Sequence, residues 1–357
     1  MGATFRVGVT RDFLRSDGTF GYGDIGLGLL DGAPNLHREF LAESSAELSA
    51  EQVRDYDALL VLAPRITAAS LTGSERLILV ARFGVGYDAV DVDACTRNGV
   101  LLTITPDGVR RPVAVAALTY VLALAHRLLI KDRLTRAGRW ADKLDYMGMG
   151  VTGRALGLIG LGNIGRELCT LARPFGMRLL AFDPYAAPEA AVAAGAELVE
   201  LDALLGASDF VVICCALTPE THHLIDARRL ALMKPDAFLV NVARGPIVDQ
   251  TALTEALAQR RIKGAGLDVF ETEPVDPNDP LLTLNNVILS PHGIAWTDEC
   301  FLGNGRSACR SILDVAAGRV PANLVNRAAL DHPRVRARLA NAGDIASAGA
   351  PDAQPSG

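Results

Sequence analysis

The chain has no excess of basic residues and no paired cysteine motif. Its 357 residues include 35 Lys and Arg against 41 Asp and Glu, which gives a net charge of −6 and a pI near 5.6. This balance offers no positive field to hold a phosphate backbone, so it argues against a nucleic-acid partner and for small molecules. None of the six cysteines lies in a CxxC spacing, and we expect buried free thiols and no metal.

The chain also lacks a long apolar segment near its first residue. The stretch MGATFRVGVT contains no secretory signal pattern, and Arg6 stands where a myristoylation motif requires Ser or Thr. We therefore predict a cytoplasmic location. The longest apolar run, Pro112 to Ile130, could span a bilayer by length alone, but His126 and Arg127 favour a buried helix, and we predict no membrane partner.

Short apolar runs alternate with helix-like stretches through most of the chain. Between residues 5 and 106, the runs FRVGVT, ALLVLA, LILVARFG and LLTITP have the composition of strands. A second series follows the long helix: ALGLIG, RLLAFD, DFVVICC, AFLVNVA, GAGLDVF and NVILSPH. Because strand and helix alternate, we predict an α/β protein with two parallel-sheet domains.

One stretch carries a strong cofactor motif. Gly160, Gly162 and Gly165 stand in G-x-G-x-x-G register between a predicted strand and a predicted helix, and the next strand ends at Asp183. The first glycine suits a turn, the second a close approach to a pyrophosphate, and the third tight packing. A carboxylate at this spacing binds both ribose hydroxyls, and no neighbouring arginine could accept a 2′-phosphate. The motif predicts a dinucleotide site that prefers NAD.

Polar side chains follow three later strands of the same predicted sheet. Arg244 lies in NVARGPIVD, Asp268 and Glu273 lie in GLDVFETEP, and His292 lies in SPHGIAW. Parallel strands end at one edge of a sheet, so we expect these groups beside the dinucleotide. A histidine can exchange the hydroxyl proton during hydride transfer, and a carboxylate can hold its imidazole, for which Glu273 is the nearby candidate. The guanidinium fork can bind carbonyl and carboxylate oxygens.

Candidates for substrate contact are less specific. The N–H groups of Val85 and Gly86, in RFGVGYD at a predicted strand end, can bind a carboxylate. Tyr87 beside them and Trp296 after the histidine could form an apolar or ring-stacking wall. Either aromatic side chain can also be explained by plain packing.

Six motifs stand in the order typical of one enzyme family. They are ARFGVGYDAVDVDA, GRALGLIGLGNIGRE, LTPETHHLI, LMKPDAFLVNVARGPIVDQTAL, GAGLDVFETEP and NNVILSPH. From about residue 5 to residue 326 the chain resembles the NAD-dependent D-isomer-specific 2-hydroxyacid dehydrogenases. The resemblance implies an oxidoreductase that interconverts a D-2-hydroxy acid and a 2-oxo acid with NAD(H). It also implies a homodimer.

The resemblance further implies a discontinuous, flavodoxin-like substrate domain and a Rossmann NAD-binding domain. We expect the substrate domain at residues 1–109, with a returning C-terminal helix at 297–330, and the NAD-binding domain at 110–296. Residues 331–357 end in AGAPDAQPSG, which cannot bury much apolar surface, and we expect a mobile tail there.

Individual roles follow from the same resemblance. Arg244, Glu273 and His292 match the family's catalytic arginine, glutamate and histidine. Val85 and Gly86 match its carboxylate-binding loop. Asp268, with the carbonyl of Val242, matches the residues that hold the nicotinamide amide. The expected cofactor contacts are Gly160, Gly162, Asn163, Ile164, Gly165, Asp183, Thr218, Val242 and Asp268.

Two other functions stay open at this point. Phosphonate dehydrogenases share the scaffold and the catalytic set, and family members that act as NADH-sensing corepressors share the scaffold. Formate dehydrogenases lack the carboxylate beside the histidine, so Glu273 disfavours them. The sequence leaves open which acid is bound, whether it is phosphorylated or aromatic, and what the glycine-rich stretch at 18–30 does.

Overall fold

The computed structural model of the protein describes residues 4–347, with side chains described through residue 340. The chain falls into two compact units, Met1–Val109 with Thr297–Gly357, and Arg110–Trp296. Each unit is built around a sheet whose strands come from consecutive segments of that unit.

The first unit contains a parallel sheet. Among the described residues its strands are β1 (Phe5–Val9), β2 (Leu36–Phe40), β3 (Ala58–Val61), β4 (Leu79–Arg82) and β5 (Leu101–Thr103). Their order across the sheet is β2-β1-β3-β4-β5, and every neighbouring pair is parallel. This is the strand order of flavodoxin-like sheets.

The second unit contains a larger parallel sheet. Within the part of the chain that is described, its strands are β6 (Ala155–Ile159), β7 (Arg178–Phe182), β8 (Glu197–Leu198), β9 (Phe210–Ile213), β10 (Phe238–Asn241), β11 (Gly264–Leu267) and β12 (Val287–Leu289). The order β12-β11-β10-β9-β6-β7-β8 reverses direction between β6 and β9, as in Rossmann sheets. The predicted fold class is confirmed.

Helices connect the strands in both units. In the first unit they are α1 (Gly28–Asp31), α2 (Ala50–Val53), α3 (Val92–Arg97), α11 (Asp298–Ala316) and α12 (Pro333–Ser347). α4 (Pro106–Ala125) runs into the second unit, which holds α5 (Leu128–Arg136), α6 (Asn163–Ala172), α7 (Pro188–Ala194), α8 (Leu201–Ala207), α9 (Ala227–Leu230) and α10 (Gln250–Ala258). Side-chain caps begin several of them, such as Thr297, which accepts from the N–H of Cys300 at the start of α11.

Apolar cores cover both faces of the larger sheet. In β9, Phe210 and Val212 belong to one core and Val211 and Ile213 to the other, because successive side chains of a strand point to opposite faces. All four residues are fully buried. This two-sided burial explains why the strands of this sheet look like continuous apolar runs in the sequence.

Two strands were absent from the sequence prediction. β2 reads LHREF and is only partly buried, and β8 spans two residues. Both lie at sheet edges, where one side of the strand has no neighbouring strand and polar residues are tolerated. Neither has the apolar run by which the other strands were identified.

The sequence prediction for the long helix was wrong at both ends. α4 begins at Pro106 rather than Pro112, and Arg127, with φ of 53°, separates it from α5. Proline favours the first helical position, but the chain offers two prolines and the earlier one holds that place. α4 is long and apolar enough to cross a membrane by length and composition, and 56% of its apolar window is buried inside the protein.

The prediction of a mobile tail from residue 331 was wrong for residues 331–347. Residues 333–347 form α12, and Val335 is fully buried. Arg334 donates to the carbonyl oxygens of Leu77 and Asn98, and further along the helix Arg338 forms an ion pair with the buried Asp57. The prediction rested on the composition of the last ten residues, which gives no information about these contacts of α12. Residues 348–357 lie outside the described part of the chain.

The glycine-rich stretch at 18–30 packs against α11. The ring of Tyr22 stacks on Phe301 with centroids 4.3 Å apart. A Cβ at Gly305 would lie 1.7 Å from the carbonyl oxygen of Ile25, so the helix and the stretch approach to a distance that only glycine allows. This packing indicates a structural role for the stretch, whose last residues belong to α1.

Candidate active site

The glycine loop after β6 has the geometry that its motif predicts. Gly160 has φ of +99°, and a Cβ there would lie 2.7 Å from the N atom of Cys215. At Gly165 a Cβ would lie 2.3 Å from the carbonyl oxygen of Gly160, so only glycine lets α6 start this close to the strand. A Cβ at Gly162, which caps α6, meets nothing within 4 Å. The helix start therefore has open space where a phosphate could approach.

Asp183 lies at the end of β7 beside this loop. Its two carboxylate oxygens accept hydrogen bonds from the N–H groups of Leu161 at 2.8 Å and Tyr185 at 2.9 Å. Each oxygen keeps a second lone pair, which suits the hydroxyls of a ribose. Asn163 and Ile164 form the first turn of α6. The residues present thus fit an adenosine pyrophosphate.

The other expected cofactor contacts lie after β9 and β10. The N–H of Thr218 donates to the hydroxyl of Thr221 at 2.7 Å, and Thr218 is exposed. Val242 is half-buried and packs against one of the two cores of the sheet. Both stand just beyond carboxyl ends of strands in the second unit, and their contact with the cofactor stays a prediction.

Arg244 follows β10 in a loop that another loop approaches closely. A Cβ at the neighbouring Gly245 would lie 1.8 Å from the carbonyl oxygen of Phe270, so only glycine permits this contact. The carbonyl oxygen of Arg244 accepts from Nδ2 of Asn241 at 2.8 Å. Its Nη1 donates to the carbonyl oxygen of Ala243 at 2.7 Å. The close approach at Gly245 places the loop that carries Arg244 against the loop that leads to Glu273.

His292 and Glu273 form a hydrogen-bonded pair. Nδ1 of His292 lies 2.7 Å from Oε2 of Glu273, and Oε1 of Glu273 accepts from the N–H of Phe270 at 2.9 Å. Their side chains are 47% and 34% exposed, so the pair is anchored but open to a ligand. His292 has a left-handed backbone with φ of 51°, and its N–H donates to the carbonyl oxygen of Asp268 at 2.7 Å.

Opposing influences act on the pKa of Glu273. Burial, the largest single one, disfavours the charged carboxylate. The hydrogen bonds from His292 and from the N–H of Phe270, with the charges of His292 and Arg244, act in the other direction and prevail, so the pKa of Glu273 is lowered. The carboxylate stays ionised until the pH falls below that lowered value, so Glu273 holds a negative charge beside the imidazole of His292 at neutral pH.

The buried side chain of Asp268 organises the turn that carries this histidine. Its Oδ1 accepts from the N–H groups of Gly293 at 2.9 Å and Ile294 at 3.0 Å, and from the hydroxyl of Ser290 at 2.5 Å. The hydroxyl of Tyr120, on α4, lies 2.5 Å from Oγ of Ser290. Contact of Asp268 with a nicotinamide stays a prediction, whereas its role in shaping the turn is visible in these hydrogen bonds.

Val85 and Gly86 belong to the first unit and follow β4. The preceding Gly84 has φ of +124°, and its N–H donates to Oγ1 of Thr105 at 2.7 Å. That hydroxyl donates in turn to Oδ1 of Asn304 at 2.8 Å, and both partners are buried. The loop is therefore held at its first residue while the next two stay half-buried.

The two aromatic candidates are exposed. Trp296 is 53% exposed, and its N–H donates to the carbonyl oxygen of Gly293 at 3.0 Å. A Cβ at that glycine would lie 3.5 Å from the indole ring, so the tryptophan packs beside the histidine turn. Tyr87 is 39% exposed and adjoins the glycine loop of the first unit.

Known proteins resemble this chain in sequence and in fold. Residues 118–293 match the family model described as the D-isomer specific 2-hydroxyacid dehydrogenase, NAD binding domain. Over 296 residues the chain is 42% identical to the glyoxylate reductase of Thermococcus onnurineus, an alignment that covers 81% of this chain and 88% of that protein. The chain belongs to the D-isomer-specific 2-hydroxyacid dehydrogenases.

Solved structures resemble this dehydrogenase along most of its length. The TT0316 protein from Thermus thermophilus matches with a TM-score of 0.79 and 32% identity over 90% of this chain and 100% of that one. A D-lactate dehydrogenase from Aquifex aeolicus, solved with NAD and lactic acid, matches with a TM-score of 0.78 and 25% identity over 90% and 99%. The predictions of the family, of NAD as cofactor and of an NAD-dependent 2-hydroxyacid dehydrogenase are confirmed.

Sequence reasoning missed the residues that hold the loops of the dehydrogenase's candidate site in place by hydrogen bonds. Ser290 and Tyr120 connect α4 to the histidine turn, and Thr105 and Asn304 hold the glycine loop of the first unit. The sequence offered one signal of these contacts. Tyr120 lies in an apolar helix, and a buried tyrosine hydroxyl needs a hydrogen-bond partner. The other contacts join distant segments and leave no local pattern.

Replacing Gly162 by alanine should separate cofactor binding from folding. The new Cβ meets no protein atom within 4 Å and the residue has φ of −69°, which alanine adopts readily, so the unfolding temperature should barely move. The methyl group would stand where the backbone approaches the pyrophosphate, and we expect NADH affinity to fall roughly tenfold. Fluorescence titration with NADH and thermal unfolding measure the two effects.

Two other glycines serve as references for this experiment. Gly206→Ala lies on the exposed side of α8 and should leave NADH affinity unchanged. Gly165→Ala should lower both affinity and stability, because its Cβ would lie 2.3 Å from a backbone oxygen. Wild-type NADH affinity in Gly162→Ala would show that the pyrophosphate does not bind at this loop.

Proposed function

We propose that this dehydrogenase reduces a small 2-oxo acid, with His292 as the proton donor, Glu273 as its partner and Arg244 as the cation that binds the substrate. The observation that carries the proposal is the hydrogen bond of 2.7 Å between Nδ1 of His292 and the carboxylate of Glu273. When bound, NADH supplies the hydride that adds to the carbonyl carbon.

The histidine pair provides the proton that must join the carbonyl oxygen. Because Glu273 engages Nδ1 of His292, Nε2 is the nitrogen left to face a substrate. An ionised carboxylate stabilises the protonated imidazole, which can then donate its proton as negative charge develops on the oxygen. In the direction of oxidation the same nitrogen accepts the hydroxyl proton.

Two groups suit the anionic substrate. The guanidinium of Arg244 is a cation that offers parallel donors to the carbonyl and carboxylate oxygens. The N–H groups of Val85 and Gly86 follow a glycine fixed by Thr105, and they provide donors for the carboxylate. Trp296, packed beside the histidine turn, supplies an apolar surface for the group on the other side of the carbonyl.

Relatives narrow the choice of acid. Proteins named glyoxylate reductase match the chain at 42% identity in Thermococcus onnurineus and 44% in Thermococcus gammatolerans. We extend that activity to this chain and propose that it accepts glyoxylate and other 2-oxo acids with a short side chain.

A substrate panel tests this function. We expect oxidation of NADH with glyoxylate and hydroxypyruvate, less with pyruvate, and little with phenylpyruvate or dicarboxylic oxo acids. NADPH should be used poorly, because Asp183 would meet its 2′-phosphate. Absorbance of NADH follows each reaction. Failure of every oxo acid despite NADH binding would remove the proposal, and reduction of NAD by phosphite would then point to phosphonate-type oxidation.

Variants of the catalytic pair test the proton transfer. His292→Ala should lower kcat for reduction by roughly 10² to 10⁴ while NADH still binds. Glu273→Gln removes the charge that stabilises the protonated imidazole, so the falling limb of the pH profile of kcat/KM should move to lower pH. Glu255→Gln, on the exposed side of α10, is the matched control. An unchanged profile in Glu273→Gln would contradict the assigned partnership.

We further propose a homodimer that forms through an exposed apolar surface of the second unit. This surface lies on α4, α5 and the 3-10 helix Trp140–Tyr146. Leu144 in that helix and Met147 just after it are each 82% exposed. Groups of exposed apolar side chains are typical of protein interfaces. The other exposed apolar residues of the surface are Val115, Leu128, Leu129 and Trp140.

Charge introduced at this surface should dissociate the dimer. We expect wild-type protein to sediment as a dimer and Leu144→Glu/Met147→Glu as a monomer, since burying carboxylates at an apolar interface is costly. Val192→Glu, at a site 78% exposed on α7, should remain dimeric. Analytical ultracentrifugation distinguishes the species, and a wild-type monomer at micromolar concentration would rule the interface out.

We place this activity in the cytoplasm. All six cysteines are free thiols in the structure, and burial raises the pKa of several of them, including Cys95 to about 12 and Cys169 to about 11. Free buried thiols and a soluble NAD(H) couple both suit a reducing compartment. Cell fractionation followed by immunoblotting would test the assignment.

A further inference from the structure

Three potential metal ligands meet on the surface of the second unit. His222 and His223 lie between β9 and β10, and Glu271 lies in the loop after β11. One donor atom from each lies within 4.8 Å of the other two. None of the three belongs to the catalytic pair, and nothing in the proposed reaction requires them.

The backbone brings the two histidine side chains together. Successive side chains of an extended chain point apart, but His223 has a left-handed φ of 49°. The imidazole rings consequently stack, with centroids 4.1 Å apart and planes inclined by 26°. The N–H of His223 donates to the carbonyl oxygen of Pro246 at 2.8 Å, which fixes the turn. The two imidazole rings are therefore held side by side before any metal arrives.

Glu271 completes the set from another loop. Its Oε1 lies 2.5 Å from Nε2 of His223, and its Oε2 accepts from the N–H of Gln250 at 3.3 Å. The N–H of Glu271 donates to the side-chain oxygen of Gln250 at 2.9 Å. A hydrogen bond between His223 and Glu271 is enough to explain why these two side chains lie together. It does not explain the stacking of the exposed His222 on its neighbour.

We propose that His222, His223 and Glu271 bind a divalent transition metal ion of the zinc, cobalt or nickel type. Two imidazoles and a carboxylate are borderline ligands that suit these ions, whereas calcium and magnesium prefer oxygen donors. In a tetrahedral site the donor atoms lie roughly 3.3 Å apart. Rotation of the exposed His222 ring can bring the three donors to that spacing, and water fills the fourth position.

Competing ligands are less accessible. Every cysteine of the chain has a raised pKa, caused chiefly by burial, so thiolates are scarce at neutral pH. The catalytic pair offers one imidazole and one carboxylate, which is one ligand fewer than the surface cluster. The surface cluster is therefore where an added imidazole-preferring ion should bind first.

Titration of untagged, EDTA-treated full-length protein with cobalt chloride tests the site. We expect one equivalent to bind, with visible d–d absorption and no thiolate charge-transfer band, and calorimetry to give the same stoichiometry. His222→Ala should weaken binding at least about tenfold, with an unchanged unfolding temperature in the absence of metal because the side chain is exposed. The temperature should rise with zinc chloride in wild type and stay unchanged in His222→Ala.

Further variants separate this site from its competitors. Glu271→Gln keeps an oxygen acceptor for His223 but is a weaker ligand, and it should lose affinity as His222→Ala does. His37→Ala, an exposed histidine of the first unit, should bind cobalt like wild type. The proposal is overturned if His222→Ala retains full affinity, if a thiolate band appears, or if binding disappears in His292→Gln instead.

Discussion

The acceptor capacity of one buried carboxylate holds together the turn that carries His292. Asp268 follows β11 and gathers on one oxygen two backbone N–H groups and the hydroxyl of Ser290. Its own carbonyl accepts from the N–H of His292. These bonds compensate a backbone conformation that is unfavourable for a histidine. The position of the imidazole therefore depends on an aspartate that the histidine side chain does not touch.

Close backbone approaches connect the loops of the second unit that carry the predicted cofactor and catalytic residues. Gly165 allows α6 to begin against the turn at Gly160, and Gly245 allows the arginine loop to contact the carbonyl of Phe270. The N–H of Phe270 in turn binds Glu273. Cofactor loop, arginine and glutamate are thus placed by main-chain packing, which transmits position more rigidly than exposed side chains do.

Most of this arrangement could be predicted because its signals are local. The apolar runs of central strands identify a parallel sheet, and Gly160, Gly162, Gly165 and Asp183 encode a cofactor loop by spacing alone. The edge strands β2 and β8 were missed because they carry little apolar content. α12 was taken for a tail because the contacts that order it, from Arg334 and Arg338, reach residues far away in the chain.

The sequence by itself determined the fold class and the cofactor, and it carries the proposal for the reacting groups, since each depends on periodicity or on motifs within a short stretch. Only the tertiary structure decided which atoms of His292 and Glu273 meet, the turn shaped by Asp268 and Tyr120, and the meeting of two histidines with Glu271. The physical reason is that hydrogen bonds between loops depend on where parallel strands end in space. The residues adjacent to each loop in the sequence do not specify where that strand end lies in space.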